Sequence, residues 1–286
     1  MLFRIAIRLA MSGLAAAGLF VGAVNAQNSP RVIKAGDINT YPPFAFKDIQ
    51  SGEFTGLDRD LFEAMAKKIG ATVKWEIFSW QDMTSFAPLK TGRVDIYGGG
   101  GMQGHAARRA QGVSFIDFVK DPYAFYALKS NAEQLKTPAA LCGKRVMTFR
   151  GNVGTTRSLD KWNDEVCVKT GRPALVKVDM DGGTPTAKLE LKQGRVDLAM
   201  GGAGSIAYSN MSEGGIYIML PKPVGGAVYG MAFMNENKEL GESLKKGLDE
   251  LIEDGTYVQL LKKWNLPVED SSIGRATING APEPDQ

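Results

Sequence analysis

Apolar positions along this chain follow two rhythms, a four-residue repeat and short continuous runs. In "GLDRDLFEAMAKKIGATVKWEIF", Leu57, Leu61, Met65 and Ile69 stand four apart. That spacing predicts one face of a helix, stopped at Gly70 and followed by a strand. The run before it, "RVIKAGDINTYPPFAFKD", reads as a strand ending in a proline-fixed turn. Further on, "GKRVMTFRGNVGTTRSLDKWNDEV" repeats the order of strand, glycine turn and helix. The segment "ELGESLKKGLDELIEDGTYVQLLKKWNL" predicts two helices broken at Asp254-Gly255-Thr256, with Leu240, Leu244, Leu248, Leu251 and Ile252 on one stripe.

One phrase occurs twice. "LKTGRVDIYGGG" runs from Leu89 to Gly100 and "LKQGRVDLAMGG" from Leu191 to Gly202. Before the first copy, Ser79 and Asp82 form a capping box, with Met83, Phe86, Ala87 and Lys90 at helical spacing and Gly92 as the stop. Before the second, Pro185 stands near a helix start and Gly194 at its end. Each copy then reads helix, tight turn, strand, glycine, which is half of a βαβ crossover in a parallel sheet. Two copies imply an α/β protein of two lobes, each presenting glycines at the carboxyl ends of its strands, where open α/β sheets take ligands. The plainer alternative is a good helix-to-strand turn common to any α/β fold.

The chain has 286 residues, enough for two cores; 44% are apolar and 23% charged, in the globular range. The start, "MLFRIAIRLAMSGLAAAGLFVGAVNA", carries Arg4 and Arg8, then an apolar run ending in small residues. It reads as a signal peptide, residues 1–26, cut after Ala26; a membrane anchor is the other reading, for which the run is short and rich in Ala and Gly. Gln27 rather than Cys follows the cut, so no lipid anchor is indicated there. Of the 34 basic residues two lie in this leader, against 31 acidic residues outside it, so the remainder carries +1. Nothing in that balance argues for nucleic acid or an anionic membrane surface. Two cysteines, Cys142 and Cys167, in an exported chain suggest a disulfide, with two buried thiols as the alternative. With His105 the only histidine, no zinc or copper site, no cofactor and no Ser-His-Asp or Cys-His constellation is expected.

"TYPPFAF…GEFTGLDRDLFEAMAKKIG", "RRAQGVSFIDF…DPY" and "DGTYVQLLKKWNL", in this order, resemble the type II periplasmic solute-binding proteins of ABC importers, polar amino-acid branch. The resemblance covers nearly all of residues 27–286. It implies two lobes that close over one small ligand: lobe 1 from 27–125 and 230–286, lobe 2 from 128–226. The chain would cross near Tyr126 to Lys129 and return near Ala227 to Gly230. It further implies aromatic walls at Tyr41 and Trp80, with ordinary core as the other reading of either ring. An arginine clamp for a carboxylate is placed at Arg109, with Arg108 as the alternative because the glycine loop before it is long. The glycine turns Gly100, Gly101, Met102, Gln103 and Gly151, with Thr155 and Thr156, would offer backbone and hydroxyl donors to an anion. A phosphate loop is the weaker reading of these turns, since no Lys-Ser/Thr follows. His105, in the same loop, reads as structural or exposed more readily than as a ligand contact.

One departure stands out. In amino-acid binders of the family an acid usually stands five residues after the Val-Asp aspartate and holds the ligand's ammonium; here that place is Gly202. Asp179 or Asp181 could substitute; otherwise the ligand lacks a free amine or needs the space. The leading expectation is a monomeric periplasmic receptor for a small carboxylate-bearing solute, an amino acid or derivative, delivered to a permease in the inner membrane. The alternatives are a cyclohexadienyl-type dehydratase on the same fold, which needs a tuned acid in the cleft, and a ligand-sensing module.

Overall fold

The computed structural model describes residues 30–220 and 224–281. The expected leader and its cut after Ala26 lie outside the described residues. The chain opens with β1 (Arg31–Asp37), a three-stranded meander of β2 (Thr40–Tyr41), β3 (Ala45–Lys47) and β4 (Phe54–Thr55), then α1 (Leu57–Lys68) and β5 (Ala71–Ile77). Next come α2 (Trp80–Ser85), α3 (Ala87–Lys90), β6 (Ile96–Tyr97), α4 (Ala106–Arg109) and the long β7 (Val113–Leu128). The second half holds β8 (Arg145–Phe149), α5 (Val153–Val166), β9 (Val176–Met180), α6 (Gly183–Lys192), β10 (Leu198–Gly202), α7 (Ala203–Ser212) and β11 (Tyr217–Met219). The chain returns along β12 (Gly226–Met234) to α8 (Lys238–Glu253), α9 (Thr256–Lys263), α10 (Val268–Ser271) and β13 (Thr277–Ile278).

The strands run in the order β5-β1-β6-β12-β7 in one lobe and β7-β10-β8-β9 in the other, so β7 belongs to both. As the doubled phrase predicts, β1 is parallel to β5 and β6, and β8 is parallel to β9 and β10. β12 pairs antiparallel with β7 as far as Pro122; from Tyr123 onward β7 pairs with β10, Tyr123 opposite Gly202. That handover lies upstream of the Tyr126–Lys129 stretch expected to cross. The register of β12 shifts between Tyr229 and Gly230, inside the stretch expected to return.

The four-residue rhythm lands where it should. Leu57, Leu61 and Met65 are fully buried, and α1 packs against α8, which contributes Leu240, Leu244, Leu248 and Leu251. Ser79 caps α2, its Oγ accepting from the Asp82 amide and donating to the Asp82 carboxylate. The single helix expected through Met83, Phe86, Ala87 and Lys90 is two, broken at Phe86, whose φ of 56° is left-handed. Pro88 is the reason: inside a continuous helix its ring would collide with the carbonyl four residues back, whereas it fits the first turn of α3. Cys142 and Cys167 form a disulfide, tying the turn before β8 to the end of α5.

Candidate functional site

A cavity of about 440 Å³ lies between the lobes. Lobe 1 contributes Asn39, Thr40 and Tyr41 beyond the end of β1, Trp80 at the start of α2, and Gly100 and Gly101; the other wall is Phe149, Arg150, Asn152, Met180 and Asp181, with Tyr229 from β12. Ring packing sets the floor. Tyr41 stacks on Phe44 at 5.2 Å and meets Tyr229 edge-on at 6.1 Å. The lobes are closed on each other: the Gln81 amide donates to Asp181 at 2.7 Å, and the rings of Phe46 and Tyr208 lie 5.2 Å apart.

The expected site residues divide. Tyr41, Trp80, Gly100 and Gly101 line the cavity. Met102 is fully buried in a lobe 1 core cluster instead. Gln103 is buried, its amide donating to the Tyr123 hydroxyl. Gly151, at φ 77°, backs Trp80. The Thr155 and Thr156 hydroxyls both donate to the Asn152 carbonyl, and Asn152, the cap of α5, is the residue that reaches the cavity. His105 is buried at the start of α4.

The two arginines go different ways. Arg108 is buried; its guanidinium lies 5.4 Å from the Trp80 ring centroid and donates to the Gln103 carbonyl at 3.0 Å. Burial lowers its pKa to about 10, and no carboxylate among the described residues pairs with it. Arg109 donates to the Gly104 carbonyl, and its charge acts on Asp117. Beside Arg108, the Trp80 indole N–H is buried without a hydrogen-bond partner among the described residues. Arg108 does not itself line the cavity but lies against Trp80, which does; a buried cation and an open indole donor there suit an anionic ligand group.

Acids are prominent where the glycines stand. Asp37 and Asp58 are fully buried beneath the run Gly98–Gly100. Asp37 accepts from the Ile38 amide and Asp58 from the Gly100 amide, each at 2.7 Å. Burial, with the neighbouring Asp58, holds Asp37 well above the carboxylate range, and burial raises Asp58 to about 7. Under the second glycine edge lies Asp121 of β7, also buried, raised to about 6 by burial against the opposing hydrogen bonds of Gly204, Tyr229 and Tyr41. A Cβ at Gly202 would stand 1.6 Å from Asp121 Oδ2. Gly202 is thus no space left for a bulky ligand, because a carboxylate from the neighbouring strand fills it. Asp179 accepts from the Thr148 hydroxyl, and Asp181 from Gln81, with Arg150 at 3.5 Å, so both proposed substitutes are already engaged. Sequence reasoning missed Asp121 and Tyr229; the signal for the first was the acid before Pro122 in "DPY".

Among the described residues, no group of three or more His, Cys, Asp or Glu is placed to hold a metal ion, and no helix is long and apolar enough to cross a membrane.

Residues 33–267 match the family model of bacterial extracellular solute-binding proteins, family 3. The chain is 28% identical to a probable histidine-binding protein of Campylobacter jejuni, over 85% of this chain and 89% of that one. It is 27% identical to the histidine-binding periplasmic protein of Salmonella typhimurium, over 82% and 88%. Its fold superposes on an ancestral arginine-binding protein bound to arginine with a TM-score of 0.67 at 29% identity, covering 82% of this chain and 98% of that one. Two α/β lobes sharing β7, a closed cleft between them and a family match across both lobes lead to one conclusion: the chain belongs to the bacterial extracellular solute-binding proteins of family 3.

Proposed function

We propose that the chain is the amino-acid-binding component of an ABC importer, working as a monomer in the periplasm once residues 1–26 are removed. It binds a free amino acid or close derivative in the interlobe cavity and hands it to a permease in the inner membrane. Histidine- and arginine-binding relatives support the solute class. The observation that carries the reading is Arg108: a buried cation against Trp80, a residue that lines the cavity, with no acid of the described residues paired with it. A ligand carboxylate supplies the missing charge, and Trp80 N–H adds a donor. Arg109 is not the clamp in this reading, since its guanidinium is taken by Gly104 and Asp117. Tyr41 and Trp80 form the walls.

Thermal melting with each of the twenty amino acids, with mass spectrometry of ligand released on denaturation, tests this. A ligand at a hundredfold excess over Kd adds about 2.7 kcal/mol, a rise of about 5–10 °C for a domain of this size. Arg108→Ala should weaken the responding ligand by roughly thirtyfold or more, and Arg109→Ala by far less. No shift and no released amino acid would end the reading. Incubation with prephenate separates this reading from a dehydratase on the same fold: no product is expected, and product formation would overturn it.

A further inference from the structure

Asp121 sits on β7 among the last residues that pair with β12, two residues before Tyr123, where the strand passes to β10. Its Oδ1 accepts from the Gly204 amide at 3.0 Å. Its Oδ2 forms a triangle with two hydroxyls, 3.0 Å from Tyr41 Oη and 2.9 Å from Tyr229 Oη, and the hydroxyls are 2.8 Å from each other. All three sides are of hydrogen-bond length, and each needs a proton. The two phenols supply two. With an ionised carboxylate, one side is a pair of oxygen lone pairs facing each other. A third proton on the carboxyl completes the ring of bonds; with the carboxylate ionised, an N–H group arriving from outside donates to the facing lone pairs of a phenol oxygen and offsets their repulsion.

No Lys, Arg or His among the described residues pairs with Asp121. Both phenol rings line the cavity. Gly202 is what lets the trio exist: a Cβ there would lie 1.6 Å from Asp121 Oδ2 and 2.5 Å from Tyr41 Oη. Its φ of −67° suits any residue, so the need for glycine is space alone.

We propose that Asp121, with Tyr41 and Tyr229, is the subsite for a protonated nitrogen of the ligand, and that Gly202 is glycine to make room for it. The inference rests on the amino-acid-binding reading above. The ligand's N–H donates to a phenol oxygen, that phenol donates to Asp121, and the carboxylate balances the ligand's charge one hydroxyl away. Where Asp121 is protonated in the free protein, its proton leaves to solvent as the cation enters. Binding is therefore linked to pH. The titratable groups around Asp121 are Tyr41, Tyr229 and Tyr123, the last held by Gln103; burial and the charge of Asp121 raise Tyr41 and Tyr229 well above the usual phenol value, so neither loses its proton where Asp121 titrates. With Asp121 raised to about 6, affinity for a cation climbs as pH rises toward 6 and levels off above it.

Calorimetry with L-arginine and L-histidine at pH 7.5, on the wild type, Asp121→Asn and Tyr229→Phe, tests this, with L-arginine repeated near pH 6 in two buffers of different ionisation heat. Asp121→Asn should lose roughly thirtyfold or more in affinity and Tyr229→Phe less. The wild type should release protons to the buffer near pH 6, and Asp121→Asn should release none. A folded Asp121→Asn that binds within threefold of wild type overturns the subsite. If that variant does not fold, an unchanged Tyr229→Phe together with no proton release from the wild type overturns it equally. If neither amino acid binds the wild type, the amino-acid reading itself fails and takes the subsite with it; if both bind and Asp121→Asn binds as well, only the subsite falls.

Discussion

The two copies of Leu-Lys-x-Gly-Arg-Val-Asp do the same job in the two lobes up to their aspartate, and part company after it. In each, a glycine with φ near 67°, Gly92 or Gly194, turns the chain out of its helix. The aspartate then accepts the backbone N–H of the adjacent strand at 2.8 Å, Asp95 from Lys34 and Asp197 from Arg145. The basic residue returns the contact to the glycine carbonyl: Lys34 to Gly92 at 2.6 Å, Arg145 to Gly194 at 2.9 Å. The phrase is a stitch that fixes the register of β6 and β10 against β1 and β8. Beyond it the glycines diverge in purpose. In lobe 1, Gly99 and Gly100 lie over Asp37 and Asp58, buried acids of the same lobe. In lobe 2, Gly202 lies over Asp121, an acid on the strand both lobes share. What the lobes repeat is a structural device; the chemistry of the cleft comes from residues they do not repeat.

The largest difference to test is covalent. Lobe 2 carries the Cys142–Cys167 disulfide. In the chain-entropy model its 26-residue loop is worth about 3.5 kcal/mol. Replacing both cysteines with serine should lower stability by about that amount, and hydrogen exchange should rise in β8 and α5 while α1 and α8 stay protected. Equal loss of protection in both lobes would mean that they unfold as one unit and that the comparison has no energetic content.

The glycines come next. Gly99→Ala places a Cβ 2.1 Å from Asp58 Oδ2, and Gly202→Ala places one 1.6 Å from Asp121 Oδ2. Each should cost about 2–3 kcal/mol by overpacking, read from denaturant melts. Gly194→Ala meets nothing within 4 Å and is penalised only by its positive φ, about 1 kcal/mol. If Gly202→Ala melts like the wild type, Asp121 has another place to go.

A pH series sharpens the contrast between the acids. Asp58 is raised to about 7, so the folded protein holds a proton there that the unfolded chain has lost. The stability tied to that proton is complete below about pH 4 and is lost as pH rises through about 7. Asp197 behaves oppositely: its hydrogen bonds to Arg145 lower its pKa, so its contribution is present at neutral pH and is lost in acid. The ligand-free protein should therefore melt higher at pH 5 than at pH 8, by on the order of 5 °C, and Asp58→Asn should flatten that slope. A slope unchanged in Asp58→Asn would place the proton elsewhere.

The smallest effect separates the two stitches. Arg145 grips both the Gly194 carbonyl and the Asp197 carboxylate through its fork, whereas the Lys34 ammonium reaches only its glycine carbonyl. Asp197→Ala should cost about 1 kcal/mol and Asp95→Ala somewhat less, both partly exposed sites. Equal costs in thermal melts would show that the backbone bond alone matters.

Much of this molecule is legible in its sequence because the signals are local. Four-residue spacing at Leu57, Leu61 and Met65, the Ser79 cap, the stops at Gly92 and Gly194 and the pairing of two lone cysteines are decided within a few turns of chain or by simple parity. Where a local signal competed with another, the reading slipped: the apolar rhythm through Phe86 predicted one helix, and Pro88, two residues on, broke it. The cleft was harder. Arg108 and Arg109 are adjacent, yet at 3.6 residues per turn they leave α4 about 100° apart, so one lies on Trp80 and the other turns to Gly104. Whether position 202 is empty was beyond any reading along the chain, because the carboxylate that fills it arrives from Asp121, two residues before Tyr123, the residue that pairs with Gly202 across the sheet. Backbone rhythm and caps are properties of neighbours in sequence; occupied volume and the partner of a buried charge are properties of neighbours in space, and only the folded chain brings those together.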